Sequence, residues 1–161
     1  AAWSDALELR SQRVFTTLAR LPVITIAAVQ GAAVAGGFEL ALACDLRVVG
    51  PRARFWLPET AIGILPAAGG TTRLSRLVGP SRAKEVILGG RQVDAETALA
   101  WGIAHRIADD PFVEARSWAL EIAKRDHVAL RRAKERLDAD ESDLSLLGER
   151  VAEAGLYHRR R

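Results

Sequence analysis

The chain has 161 residues, 49% apolar and 27% charged, the profile of one globular domain burying roughly 70% of its unfolded surface, which excludes disordered and fibrous classes. Its 23 basic and 20 acidic residues leave a net charge of +3 with the signs interspersed, a solvated exterior more than a polyanion-binding one; a single cysteine, Cys44, excludes an internal disulfide or a multi-cysteine metal cage and fits a reducing compartment. Arg47 ends the longest apolar run short of the ~18 residues a bilayer span needs, so the expectation is a cytoplasmic protein with no membrane partner.

In chain order, residues 3–21 read as an amphipathic helix with Leu7, Val14, Leu18 and Leu21 on one stripe, stopped by Pro22. Residues 23–29 form a β-branched apolar run without polar alternation, the pattern of a strand buried on both faces. Gln30-Gly31 ends it, and Ala35-Gly36-Gly37 leads into the apolar helix of residues 38–44. Short strands follow at residues 46–49 and 54–56. Residues 57–70 make a loop with two prolines and three glycines. From Thr71 the pattern is helical, broken at Gly79-Pro80, Gly89-Gly90 and Gly102, with Asp94 as an N-cap and a strand near residues 103–107. Helices over residues 111–124, 128–137 and 144–156 complete the chain.

Three features carry chemistry. Gly36-Gly37 sits where a strand meets a helix, so a backbone N–H can face an anion or a developing oxyanion, or the pair simply lets strand and helix pack closely. Glu39 lies in the first turn of an otherwise apolar helix, either as a reactive group or as a carboxylate stabilising the helix dipole by ~0.3–1 kcal/mol. Glu59 lies in an apolar loop, either as its partner or as a solvated loop residue. Two glutamates in apolar surroundings beside a backbone donor suit acid and base work. The three histidines, His105, His127 and His158, have no ligand spacing, so no metal is expected; Cys44 reads as a buried small hydrophobe, and residues 159–161 as a basic tail.

Residues 22–50, running from Pro-Val-Ile-Thr-Ile through Val-Ala-Gly-Gly-Phe-Glu to Leu-Arg-Val-Val-Gly, resemble the enoyl-CoA hydratase/isomerase (crotonase) family, as do residues 58–79 from Pro-Glu through Leu-Pro-Ala-Ala-Gly-Gly-Thr-Thr-Arg-Leu to Val-Gly. The resemblance continues through Ala83-Lys84-Glu85 and residues 95–102 and covers nearly the whole chain.

It implies an α/β spiral of ββα units with C-terminal helices, divided as a catalytic core at residues 1–110 and a helical oligomerisation region at residues 111–161. It also implies a homotrimer or hexamer, an acyl-CoA thioester as substrate, and no cofactor beyond the coenzyme A that the substrate carries. By resemblance, Gly36 supplies an oxyanion-hole amide, Glu39 orients and activates water, Glu59 moves a proton to the carbon beside the thioester, and Ala67 and Gly37 position water and substrate. Retention of both glutamates points to a hydratase, with an isomerase, a decarboxylase, or a noncatalytic oligomer-forming or RNA-binding protein as the alternatives. Two family glycines are Ala35 and Ala67 here, and Trp56 replaces a small residue before the Pro-Glu pair, where it reshapes the acyl pocket or packs in the core. The family's β-rich first segment, source of the other oxyanion amide, has no counterpart before Ala1, so a fragment with poor activity on its own is expected.

Overall fold

The computed structural model describes residues 2–139, with side chains described from residue 10 onward. The expected helix at residues 144–156, His158 and the basic tail lie outside these described residues, as does the side chain of Leu7.

Helix α1 (Ala2–Ala19) leads to β1 (Ile26–Val29), β2 (Ala32–Val34) and α2 (Gly36–Ala43), and then to β3 (Leu46–Val49) and β4 (Arg54–Trp56). A 3-10 turn at Glu59–Ile62 precedes α3 (Gly70–Ile87), β5 (Val93–Asp94), α4 (Ala95–Ala100), β6 (Arg106–Ile107), α5 (Pro111–Ile122) and α6 (His127–Asp138). Pairing is between successive turns of a spiral. β1 runs parallel to β3 with Ile26 opposite Leu46, and β2 runs parallel to β4 with Ala32 opposite Arg54, so each ββα unit stacks on the next about twenty residues later. β6 extends the first sheet alongside β3, and β5 closes the second antiparallel to β4.

The core lies between the sheets and the inner helices. Phe38, Phe55, Leu57, Leu74, Val86, Val93 and Ile103 are fully buried there, and the rings of Phe38 and Phe55 meet in a tilted pair 5.0 Å apart. Burying an aliphatic or aromatic side chain of this size contributes about 1.5–3 kcal/mol. α3 is kinked where expected, because Gly79 takes φ 80° and Pro80 removes a donor. Asp94, Asp110 and Asp126 cap α4, α5 and α6 through their side chains.

Three expectations need correction. The strand expected at residues 23–29 begins only at Ile26, and Val23 is exposed, because the amide of Thr25 donates to the Asp45 carboxylate instead of entering a ladder. Val14, expected on the buried stripe of α1, is 60% exposed. β2 was not expected, and the strand near residues 103–107 shrinks to two residues.

α5 packs on β1 and β3, and α6 is pinned to the same sheet by an ion pair between the buried Lys134 and the half-buried Asp45. Lys134 Nζ donates to the carboxylate of Asp45, which also accepts from the Thr25 hydroxyl and amide, and to the carbonyl of Val23. Arg47 is buried with its guanidinium spent on carbonyls of Ala41, Cys44 and Ile103, which satisfies the open C-terminal end of α2. The Nδ1 of His105 accepts from the Arg47 amide, a structural role. Cys44 is half-buried, and burial pushes its thiol up. No group of three or more His, Cys, Asp or Glu among the described residues is arranged to hold a metal ion, and no described helix is long and apolar enough to cross a membrane.

Candidate active site

Gly36 and Gly37 open α2 with exposed backbone, and the N-cap Ala35 offers no capping side chain, so the first amides of the helix face outward without an intrahelical acceptor. Ala35 holds this turn in shape. Its amide donates to the carbonyl of Trp56, and its carbonyl accepts from the amides of Phe38 and Glu39. The turn requires φ 52° and ψ −125° at Ala35, a region that favours glycine.

Glu39 is 4% exposed, and its acceptors are not spent on its own helix. Its Oε1 receives two hydrogen bonds of 2.8 Å from the amides of Ala68 and Gly70 at the entrance to α3. Glu39 thus sits in the first turn of α2 with Oε1 engaged across the site by the amides that open α3. Gly70 makes the approach possible: a Cβ there would stand 2.9 Å from Glu39 Oε1 and 2.9 Å from the buried Pro66 ring.

Glu59 is 6% exposed at the start of the 3-10 turn, not in a solvated loop. Its Oε2 is buried with no hydrogen-bond partner. Burial pushes this carboxyl above its ordinary value; its own backbone amide opposes the shift, and the Glu39 charge adds to it. The two carboxyls thus share one electrostatic neighbourhood but differ in environment, one held by two amides and the other with an open oxygen.

Ala67 is half-buried beside this arrangement, and its carbonyl accepts from Gln12 Nε2 at 3.3 Å. The loop amides that reach Glu39 are those of the next residues along, Ala68 and Gly70, which sequence reasoning did not single out. Arg73 was also missed. Its Nη1 donates to the Ala68 carbonyl at 2.8 Å, burial lowers its pKa, and the Glu39 charge opposes that lowering. The signal available was the Pro66 to Gly70 punctuation, which marks a special backbone shape without saying what it holds. Trp56 is half-buried at the end of β4 with its indole N–H buried and unpartnered.

Residues 3–160 match the model of the family described as Enoyl-CoA hydratase/isomerase. Among curated relatives, a protein of Mycobacterium bovis named probable enoyl-CoA hydratase echA8 is 41% identical over 98% of this chain and 60% of its own length. Among solved structures, Pseudomonas aeruginosa DspI superposes with a TM-score of 0.93 at 36% identity, covering 98% of this chain and 66% of that one. A Thermobifida fusca protein described as a putative enoyl-CoA hydratase, solved in complex with acetoacetyl-CoA, gives a TM-score of 0.86 at 31% identity, covering 99% of this chain and 63% of that one. The chain therefore spans about 60% of the length of the curated relative it matches.

Proposed function

Because this chain belongs to the enoyl-CoA hydratase/isomerase (crotonase) family, we propose that the protein containing it adds water reversibly, with syn geometry, across the α,β double bond of a 2-enoyl-CoA thioester. The observation that supports this reading best is the contrast between two buried carboxyls, Glu39 anchored through Oε1 and Glu59 with an unpartnered Oε2. Names of relatives and the acetoacetyl-CoA complex of the Thermobifida neighbour support an acyl-CoA substrate.

In this proposal the thioester oxygen accepts from the Gly36 amide, where a backbone dipole stabilises the enolate charge that builds as the nucleophile adds. With Oε1 committed to two amides, Glu39 uses Oε2 to accept a proton from water, whose oxygen bonds to C3. Glu59, whose burial favours the protonated form, delivers its proton to C2. Proton transfer between the two carboxyls, through water, restores the starting state. Ala67 and Gly37 border the water and thioester positions, Ala67 keeping an amide while narrowing the space. The chemistry needs no redox change and no metal, since both charge terms are met by backbone dipoles and carboxyl groups.

Self-association into a trimer or hexamer belongs to the same proposal. Phe112, Val113 and Leu120 on α5 and Leu137 on α6 are more than half exposed, which supports a covered face on these helices. Sedimentation of the protein at micromolar concentration should show more than a monomer, and a clean monomer removes this part of the proposal.

The deciding experiment is crotonyl-CoA hydration by Glu39→Gln and Glu59→Gln. Each substitution should reduce turnover at least about 10²-fold, because general acid–base groups contribute ~10²–10⁴. The double variant should lose far less than the product of the two, since both groups act in one transition state. Full activity in both single variants refutes the mechanism, and an isomerase would leave one of the two substitutions nearly silent.

A further inference from the structure

Between the two residues whose amides reach Glu39 Oε1 lies Gly69, which caps α3 at φ 109° with no side chain to bond the open amides. Glycine moves through more backbone conformations than any other residue, so this segment needs support from outside itself. Arg73 supplies it on both sides of Gly69. Its Nη1 donates to the Ala68 carbonyl at 2.8 Å, and its main-chain amide donates to the Gly69 carbonyl at 2.9 Å. The Gly69 carbonyl and the Gly70 amide belong to one planar peptide unit, so the second bond helps to aim a group that donates to Oε1. The guanidinium lies over Gly69 so closely that a Cβ there would collide with it.

This placement opposes two ordinary preferences. A cation in the first turn of a helix faces the positive end of the macrodipole, and Arg73 is half-buried. Burial lowers its pKa, and the Glu39 charge across the loop acts in the opposite direction. We propose that Arg73 is a positioning residue for Glu39: its guanidinium braces the segment from Ala68 to Gly70, so that both loop amides stay aimed at Oε1. The consequence for catalysis rests on the hydration mechanism, in which holding Oε1 fixes Oε2 against the attacking water. Arg73 itself touches neither the reacting atoms nor the carboxylate in this scheme; it acts through the loop.

The test replaces Arg73 in the intact protein by methionine, which keeps an apolar stem without a donor, and by lysine, which keeps a donor and the charge without the planar fork. Arg82→Met, from the second half of α3 where the guanidinium packs over the Trp101 ring, is the control. Crystal structures of parent and Arg73→Met read the geometry whether or not the protein hydrates enoyl thioesters. The variant should lose one or both amide bonds to Glu39, and a variant that keeps both overturns the proposal. With crotonyl-CoA, Arg73→Met should lower kcat at least about 10-fold with KM within about threefold, because a displaced reacting group loses transition-state stabilisation and leaves substrate binding intact. Arg73→Lys should recover part of that loss, and Arg82→Met should match the parent. Equal losses in Arg73→Met and Arg82→Met, or a raised KM at parental kcat, also overturn the proposal. If Arg73→Met yields no folded protein, Arg73→Lys is read in its place: reduced kcat at parental KM supports the brace, and parental kcat refutes it. A parent inactive on crotonyl-CoA, with the amide bonds lost in Arg73→Met, refutes the hydration reading and leaves the positioning of Glu39 standing.

Discussion

Replacing Gly70 with alanine tests whether the position of Glu39 is what the surrounding loop provides. The added Cβ would lie 2.9 Å from Glu39 Oε1, 3.0 Å from Glu39 Cγ and 2.9 Å from Pro66 Cβ, where ordinary contacts begin near 3.4 Å. Pro66 is buried and ring-locked, so the carboxylate has to give way by about half an ångström or the loop has to back off. Either movement stretches the two 2.8 Å bonds from Ala68 and Gly70 that hold Oε1. Overpacking of this kind costs about 1–3 kcal/mol of stability. Displacing a reacting group by up to an ångström costs on the order of 10² in turnover. Gly31→Ala is the matched control, since a Cβ at that position meets nothing within 4 Å. Crotonyl-CoA hydration, followed by loss of the enoyl thioester absorbance, and thermal unfolding are measured on parent, Gly70→Ala and Gly31→Ala in the intact protein. A Gly70→Ala protein with an unchanged melting temperature and turnover within about threefold of the parent would refute the claim that this close approach positions Glu39.

Glu59→Gln should raise the melting temperature at neutral pH while lowering turnover, because a carboxyl with a folded-state pKa above its ordinary 4.5 stabilises the fold below that pH and loses the contribution as pH rises through the raised value. The gain should shrink in unfolding curves recorded as the pH falls toward 4.5, and a gain that is the same at every pH contradicts it. Ala35→Gly should stabilise the protein by about 1 kcal/mol, relief of ~1–3 kcal/mol of backbone strain outweighing the entropy glycine adds to the unfolded chain. Denaturant midpoints measure it, and a destabilised variant shows that the turn carries no strain. Lys134→Ala should cost about 1–3 kcal/mol by removing the buried ammonium from the half-buried Asp45 carboxylate, which keeps its bonds from Thr25, and pairing it with Asp45→Asn should recover part of the loss in a double-mutant cycle.

Among the described residues, sequence pattern located the helices well because they announce themselves locally. Asp94 caps α4 as its position suggests, and Gly79-Pro80 kinks α3 through one positive φ and one missing donor. The strands were harder to read. β2 is three residues, Ala32 to Val34, with only the middle one buried, too short for any period to register, and it exists because β4 offers a parallel ladder twenty residues later. The apolar residues before Ile26 satisfy the pattern of a buried strand, yet Thr25 is claimed by Asp45, and its carbonyl receives the Leu46 amide at the margin of the sheet. Tertiary pairing decided both outcomes, and a sequence window contains neither partner.

The site shows the same division. Glu39 and Glu59 stand out in sequence because each is a charge in an apolar setting, but their environments come from contacts far along the chain. Glu39 is held by amides twenty-nine and thirty-one residues away, an arrangement that needs the α3 entrance to pass beside α2 with no side chain at Gly70. Glu59 is left with an open oxygen because the 3-10 turn buries it without supplying a second donor. A buried carboxyl oxygen without a partner costs free energy that a folded chain ordinarily avoids. In the proposed mechanism this open oxygen is the one that carries the proton Glu59 delivers to C2. The positive φ of Ala35 fits the same logic: backbone strain is retained in the turn that leaves the Gly36 amide facing outward at the start of the helix carrying Glu39.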